Sequence, residues 1–212
     1  MKFMKRKVII GLIAILILLL SQYELLFTGY ARFFTSDNPT YGINAPIVLL
    51  SGGFLKAFEL YEKGYGKRLL LTTERHLNPK VAHLFPTVKQ KAKKIAQALD
   101  IQVEFETVPS LKGGATTIFD KAYDLRIFCE KRNLKHLIIV AGSFQSRRAL
   151  YAFNKVFQGS GIVVEVSAAS NEVFNEGNWW LSDRGIAAYL LEPIKFVVYL
   201  LSSKNVSFFK NH

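Results

Sequence analysis

Cysteine is nearly missing from this sequence: Cys129 is the only one among 212 residues. A lone thiol excludes an intramolecular disulfide and any Cys-x-x-Cys zinc or redox site. It falls on the apolar side of an expected helix, where its role is packing rather than nucleophilic attack. Histidine is scarce as well, with four in the chain. No Ser-His-Asp arrangement stands out, and Ser143 has no histidine placed by motif to activate it. Glu74, His76 and the distant His83 lack the spacing of three convergent ligands, so no metal is expected. Acidic residues are few, 16 against 28 basic, which leaves a net charge of +12. No helix-turn-helix, zinc-finger or RNP pattern accompanies that charge, which argues against nucleic acid. Anionic headgroups, an anionic envelope polymer, or plain solubility remain as its meaning. Gly-x-Gly-x-x-Gly and Walker loops are absent too. So are internal repeats and low-complexity segments.

What is present begins with one hydrophobic run. Met1–Lys7 carries Lys2, Lys5, Arg6 and Lys7, and Val8–Leu20 is unbroken apolar sequence. Those 13 residues alone are too short to cross a bilayer, whereas the 20 residues from Val8 to Phe27 suffice if Gln22 and Glu24 sit near the outer interface. Ser21-Gln22-Tyr23 offers no small-residue cleavage site, so an uncleaved single-pass anchor over residues 1–30 is expected. The positive-inside rule puts Met1–Lys7 in the cytoplasm and the folded domain on the extracytoplasmic side. The chain through Tyr30 holds +3 of the charge, and the remaining +9 belongs to the residues after it.

Residues 31–44 read as a polar linker, 45–201 as the domain and 202–212 as a polar tail. Within the domain, apolar runs alternate with helical stripes. Strands are expected at Ala45–Leu50, Lys67–Thr72, Ile101–Glu106, Leu137–Val140 and Ile162–Ser167. Between them lie a helix to about Glu62 and a stripe begun by Asn78-Pro79 and broken at Pro86. A helix capped by Thr116 or Thr117 comes next, then one opening after Ala141-Gly142-Ser143. Asp183–Leu201 forms the last helix. It contains Glu192, Pro193 and Lys195, and either packs on the sheet, the expected role, or grazes the bilayer beside Trp179 and Trp180. Such alternation argues for an α/β fold: a Rossmann-like three-layer domain with a mainly parallel sheet of about five strands, preceded by one N-terminal transmembrane helix.

Right-handed crossovers bring the strand C-terminal ends to one edge. Three polar turns converge there. Ser51-Gly52-Gly53 permits close backbone approach to a ligand or makes a tight turn. Thr116, Thr117 and Asp120 open a helix, where Asp120 serves either a ligand or the helix dipole. Ser143, Gln145, Arg147 and Arg148 open another, whose free N–H groups and arginines suit an anion. The two arginines point about 100° apart, so at most one faces the site squarely.

Four segments, in order, resemble the YdcF/SanA/ElyC-like family of bacterial envelope proteins, a domain-of-unknown-function family. They are Ala45–Gly53 with the subsequent Lys67–Thr73, Gly113–Ala122, the strand and helix from Ile138 to Phe153, and Asn178–Leu201. Gln145 stands where the family usually has histidine. It hydrogen-bonds but is no general acid or base near pH 7. Ile118 and Lys121 replace commonly polar and acidic positions. The resemblance implies a Rossmann-like domain acting in peptidoglycan or lipid-carrier homeostasis, with S-adenosylmethionine as a ligand of one soluble relative.

The expected protein is therefore anchored in the bacterial inner membrane. It binds an anionic or nucleotide-like small molecule, such as a phosphorylated envelope precursor, through Ser51–Gly53, Thr116, Thr117, Asp120, Ser143, Gln145 and one of the two arginines. The rivals are a transferase or hydrolase acting on a lipid-linked phosphate, with Asp120 or Glu74 as base, and a non-catalytic scaffold.

Overall fold

The structure is a computed structural model that describes residues 9–11, 13, 21–50, 52–75, 80 and 82–202. Five strands form one parallel sheet: β1 (Ile47–Leu49), β2 (Leu69–Thr72), β3 (Phe105–Val108), β4 (His136–Gly142) and β5 (Val163–Ala169), in the order β3-β2-β1-β4-β5. Val48 stands opposite Leu70 on one side and Ile139 on the other. The three central strands are apolar almost without interruption, as a parallel sheet covered on both faces requires.

Alternate residues of each strand feed two cores. Ile47, Leu49, Leu69, Leu71, Ile138 and Val140 face α2 (Phe54–Glu62) and α3 (Val88–Ala98). Val48, Leu70, Leu137, Ile139, Val164 and Val166 face α4 (Ile118–Arg132) and α5 (Ser143–Phe157). The last helix, α6 (Asp183–Leu201), runs unbroken through Pro193 and packs on α5.

One strand starts later than expected, and the break at Pro86 falls where expected. β3 begins at Phe105 rather than Ile101; Ile101 and Val103 still pack against the core, but from irregular backbone. Asn78-Pro79 lies outside the described residues. A 3-10 turn at Ala82–Leu84 precedes Pro86, and α3 starts afresh with Thr87 as its cap: the Thr87 hydroxyl accepts from Gln90 N–H while the Gln90 side chain accepts from Thr87 N–H.

The segment before β1 is more than a linker. Helix α1 (Tyr23–Phe34) buries Ala31 and Phe34. It is held by a 3-10 turn, Trp179–Leu181, that leads into α6. The Trp179 indole N–H donates to Phe27 O (3.1 Å), the Tyr30 hydroxyl donates to Tyr189 O (2.8 Å), and Trp180 meets Tyr23 and Phe27 edge-on. Residues 35–40 then run along the outer edge of β5. Asn38 N–H donates to Val166 O and Val166 N–H returns to Asn38 Oδ1. Asp37 accepts from Ser167 Oγ and Ala168 N–H, and Thr40 donates twice to the Glu165 carboxylate. Among the described residues no helix is long and apolar enough to cross a membrane. Most of the apolar run Val8–Leu20 lies outside them.

Candidate functional site

Sheet order reverses between β1 and β4, and in open α/β sheets ligands bind beyond the strand C-termini at that point. On the β1 side, Ser51 lies outside the described residues. Gly52 and Gly53 come next in left-handed conformation (φ +71° and +68°). A Cβ at Gly53 would stand 2.9 Å from Ala169 Cβ and 3.0 Å from Val140 Cγ1, so the turn is pressed onto the ends of β4 and β5. Gly53 is also the cap of α2 and supplies no side-chain acceptor to its first N–H groups. Those donors open beside a cavity of about 440 Å³, lined by Gly52, Gly53, Lys56, Asn171, Glu172 and Arg184 among others. Lys56 also reaches Glu59 at 3.2 Å. The loop after β5 brings Asn171 and Glu172, and the first turn of α6 brings Arg184.

On the β4 side, Gly142 precedes α5 without a side-chain cap, and Ser143 is buried beside Tyr189. Burial pushes the Tyr189 hydroxyl up to about 12. The two arginines answer to the protein itself. Arg148 Nε and Nη2 meet Glu192 Oε1 and Oε2 at 2.6 and 3.1 Å, with both side chains buried. The Arg148 guanidinium also lies 4.8 Å over the Tyr199 ring, and its Nη2 stands 3.4 Å from Gln145 Oε1. Loss of water raises the Glu192 pKa, although Arg148 pulls it the other way. Arg147 stacks on Phe33 of α1 at 4.7 Å. Arg148 ties α5 to α6, Arg147 turns to α1, and neither is among the residues that line the cavity beside the glycine turn. Their partners lie far away in sequence, where spacing gives no signal.

The third turn is closed by its own residues. Thr117 caps α4, accepting from Asp120 N–H at 3.1 Å. Asp120 Oδ2 accepts from the N–H and the hydroxyl of both Thr116 and Thr117 at 2.9 to 3.2 Å. This carboxylate is a helix cap and not a free base. Beside it, buried Lys121 donates to Leu50 O and to Glu74 Oε1, the latter at 2.8 Å. Thr72 Oγ1 reaches Leu49 O and Leu50 O. Lys121 therefore fixes the end of β1 just before the glycine turn, a role that a lysine in helical sequence does not announce. Glu74 also bridges to Ala115, which draws the Gly113-Gly114 loop alongside the end of β2. A second cavity of about 390 Å³ lies past β2, lined by Thr73, Glu74, Arg75, Thr87, Lys89 and Lys91 among others.

Among the described residues no three His, Cys, Asp or Glu side chains converge as a metal site would require; His76 lies outside them. Cys129 is buried in the α4 core, and burial pushes its thiol up to about 12, which suits packing. No protein-family model and no curated protein matches the chain.

Proposed function

We propose that the protein is a binding protein of the bacterial envelope. It is held in the inner membrane by its N-terminal segment and takes an anionic or nucleotide-like small molecule at the reversal point between β1 and β4. One observation carries the reading: the uncapped start of α2 and the Gly52–Gly53 turn open into the cavity that Lys56 and Arg184 also line. Backbone N–H groups at a helix start, with Arg184 and the Glu59-paired Lys56, favour phosphate or carboxylate, and the Glu172 carboxylate in the same lining offsets part of that field. The positive residues are not those expected from the sequence. Arg184 and Lys56 take the part first given to Arg147 and Arg148, while Ser143 and Gln145 stay on the β4 side of the same edge.

The resemblance to the YdcF/SanA/ElyC-like family supports an envelope role, a phosphorylated precursor as ligand and S-adenosylmethionine as a ligand worth testing. The rival of a transferase or hydrolase is weakened by the carboxylates. Asp120 caps α4, and Glu74 is paired with Lys121 and lines the second cavity, so neither stands beside the cavity at the glycine turn.

The test is calorimetry on the full chain in detergent, titrated with ADP, S-adenosylmethionine and undecaprenyl phosphate. One of these binds, and Arg184→Ala weakens it by roughly tenfold or more, the size of a charge-assisted hydrogen bond. Arg147→Ala leaves affinity unchanged. Equal affinity in wild type, Arg184→Ala and Lys56→Ala, or binding of none of the three, sinks the assignment.

A further inference from the structure

Helix α6 buries Gly185, Tyr189 and Glu192 and leaves its opposite face bare. Ile186, Leu190, Ile194, Val197 and Leu201 recur every three or four residues along that face, with Ile194 63% and Leu201 83% exposed. Leu191 and Leu200 flank the stripe, and Leu181 continues it beyond the helix start at 75% exposure. A contiguous apolar face of this length is rare on a surface that meets only water. Lys195 is exposed at one margin of the stripe, where a long cationic side chain reaches lipid phosphates.

The neighbouring chain identifies the cover. Helix α1 is fastened to the start of α6 through Trp179, Trp180, Tyr30 and Tyr189, and it exposes Leu25, Leu26 and Phe33. Just ahead of α1 comes the apolar run Val8–Leu20, in which Ile9, Ile10 and Ile13 are helical and more than half exposed. A membrane that receives this run meets α6 within a short distance.

We propose that the outer face of α6 lies in the headgroup–acyl boundary of the membrane that the N-terminal segment enters, with Lys195 on anionic headgroups. The inference rests on the reading of that segment as an anchor. It adds a second contact, which holds the domain flat against the bilayer instead of letting it hang from one span.

Single cysteines at Ile194, Ile13 and Lys94 are labelled with an environment-sensitive fluorophore in the full chain, the buried Cys129 being left in place. The chain is reconstituted into phosphatidylcholine–phosphatidylglycerol vesicles. Lys94 is the control, exposed on α3 across the sheet from α6. The label at Ile194→Cys brightens several-fold relative to Lys94→Cys, is quenched by acyl-chain nitroxide lipid and resists aqueous iodide. A label at Ile13→Cys in lipid with Ile194→Cys open to iodide overturns this inference and leaves the anchor standing. Both labels open to iodide overturn the anchor as well. A label at Ile194→Cys shielded from both quenchers and cross-linking to a second copy replaces the lipid with a protein interface, and overturns the proposal too.

Discussion

Arg148 and Glu192 meet where water does not reach, between α5 and α6. Two charges removed from solvent gain little net stability over an apolar pair of the same size, yet removing one of them strands the other. Arg148→Ala is therefore expected to lower the unfolding free energy by about 3–5 kcal/mol, while the double change Arg148→Met with Glu192→Leu returns it near wild type. Urea titration of the three proteins checks this, and a double variant as unstable as the single one contradicts it. The sequence makes plain that the two adjacent arginines diverge. It does not give their partners, because Phe33 and Glu192 are brought to them by packing over long stretches of chain. Thr117 is the opposite case: its cap depends on residues within one turn, so the sequence narrows it to Thr116 or Thr117.

At the scale of elements, the aromatic clasp around α1 is the least expected feature. Trp179 is buried among Ala31, Phe174 and Tyr189 and bonds the backbone of α1, so it fastens one helix to another. Trp179→Ala removes the bond and leaves a void. Amide exchange across residues 23–34 should accelerate well before exchange in β1 and β4 does, since contacts at the rim open at lower free energy than the central sheet. Uniform acceleration across all strands counts against this. The strands β1, β2 and β4 were legible because each is an apolar run ended by small or polar residues. β3 was displaced because Ile101 and Val103 alternate like a strand, while pairing with β2 starts only at Phe105. The stretch 35–40 was hidden for another reason. Asp37, Asn38 and Thr40 are ordinary loop residues until β5 lies beside them.

The whole molecule has one feature that neither propensity nor periodicity supplies, which is the strand order. Short connections and right-handed crossovers permit it, and the reversal between β1 and β4 fixes where the glycine turn meets the start of α5. Residues 35–40 cover part of the β5 edge, through one backbone hydrogen bond and the side chains of Asp37, Asn38 and Thr40. Deleting the chain through Thr40 is expected to bare that edge and produce concentration-dependent association. Light scattering at two protein concentrations checks it, and a stable monomer at both contradicts it. The same six residues also have a meaning in time. Thr40 finds Glu165 only 125 positions later. At synthesis rates of about 5–20 residues per second, α1 and its arm wait on the order of ten seconds for their partner to exist. Residues 23–40 thus take their place only once β5 and the Trp179 turn have followed them.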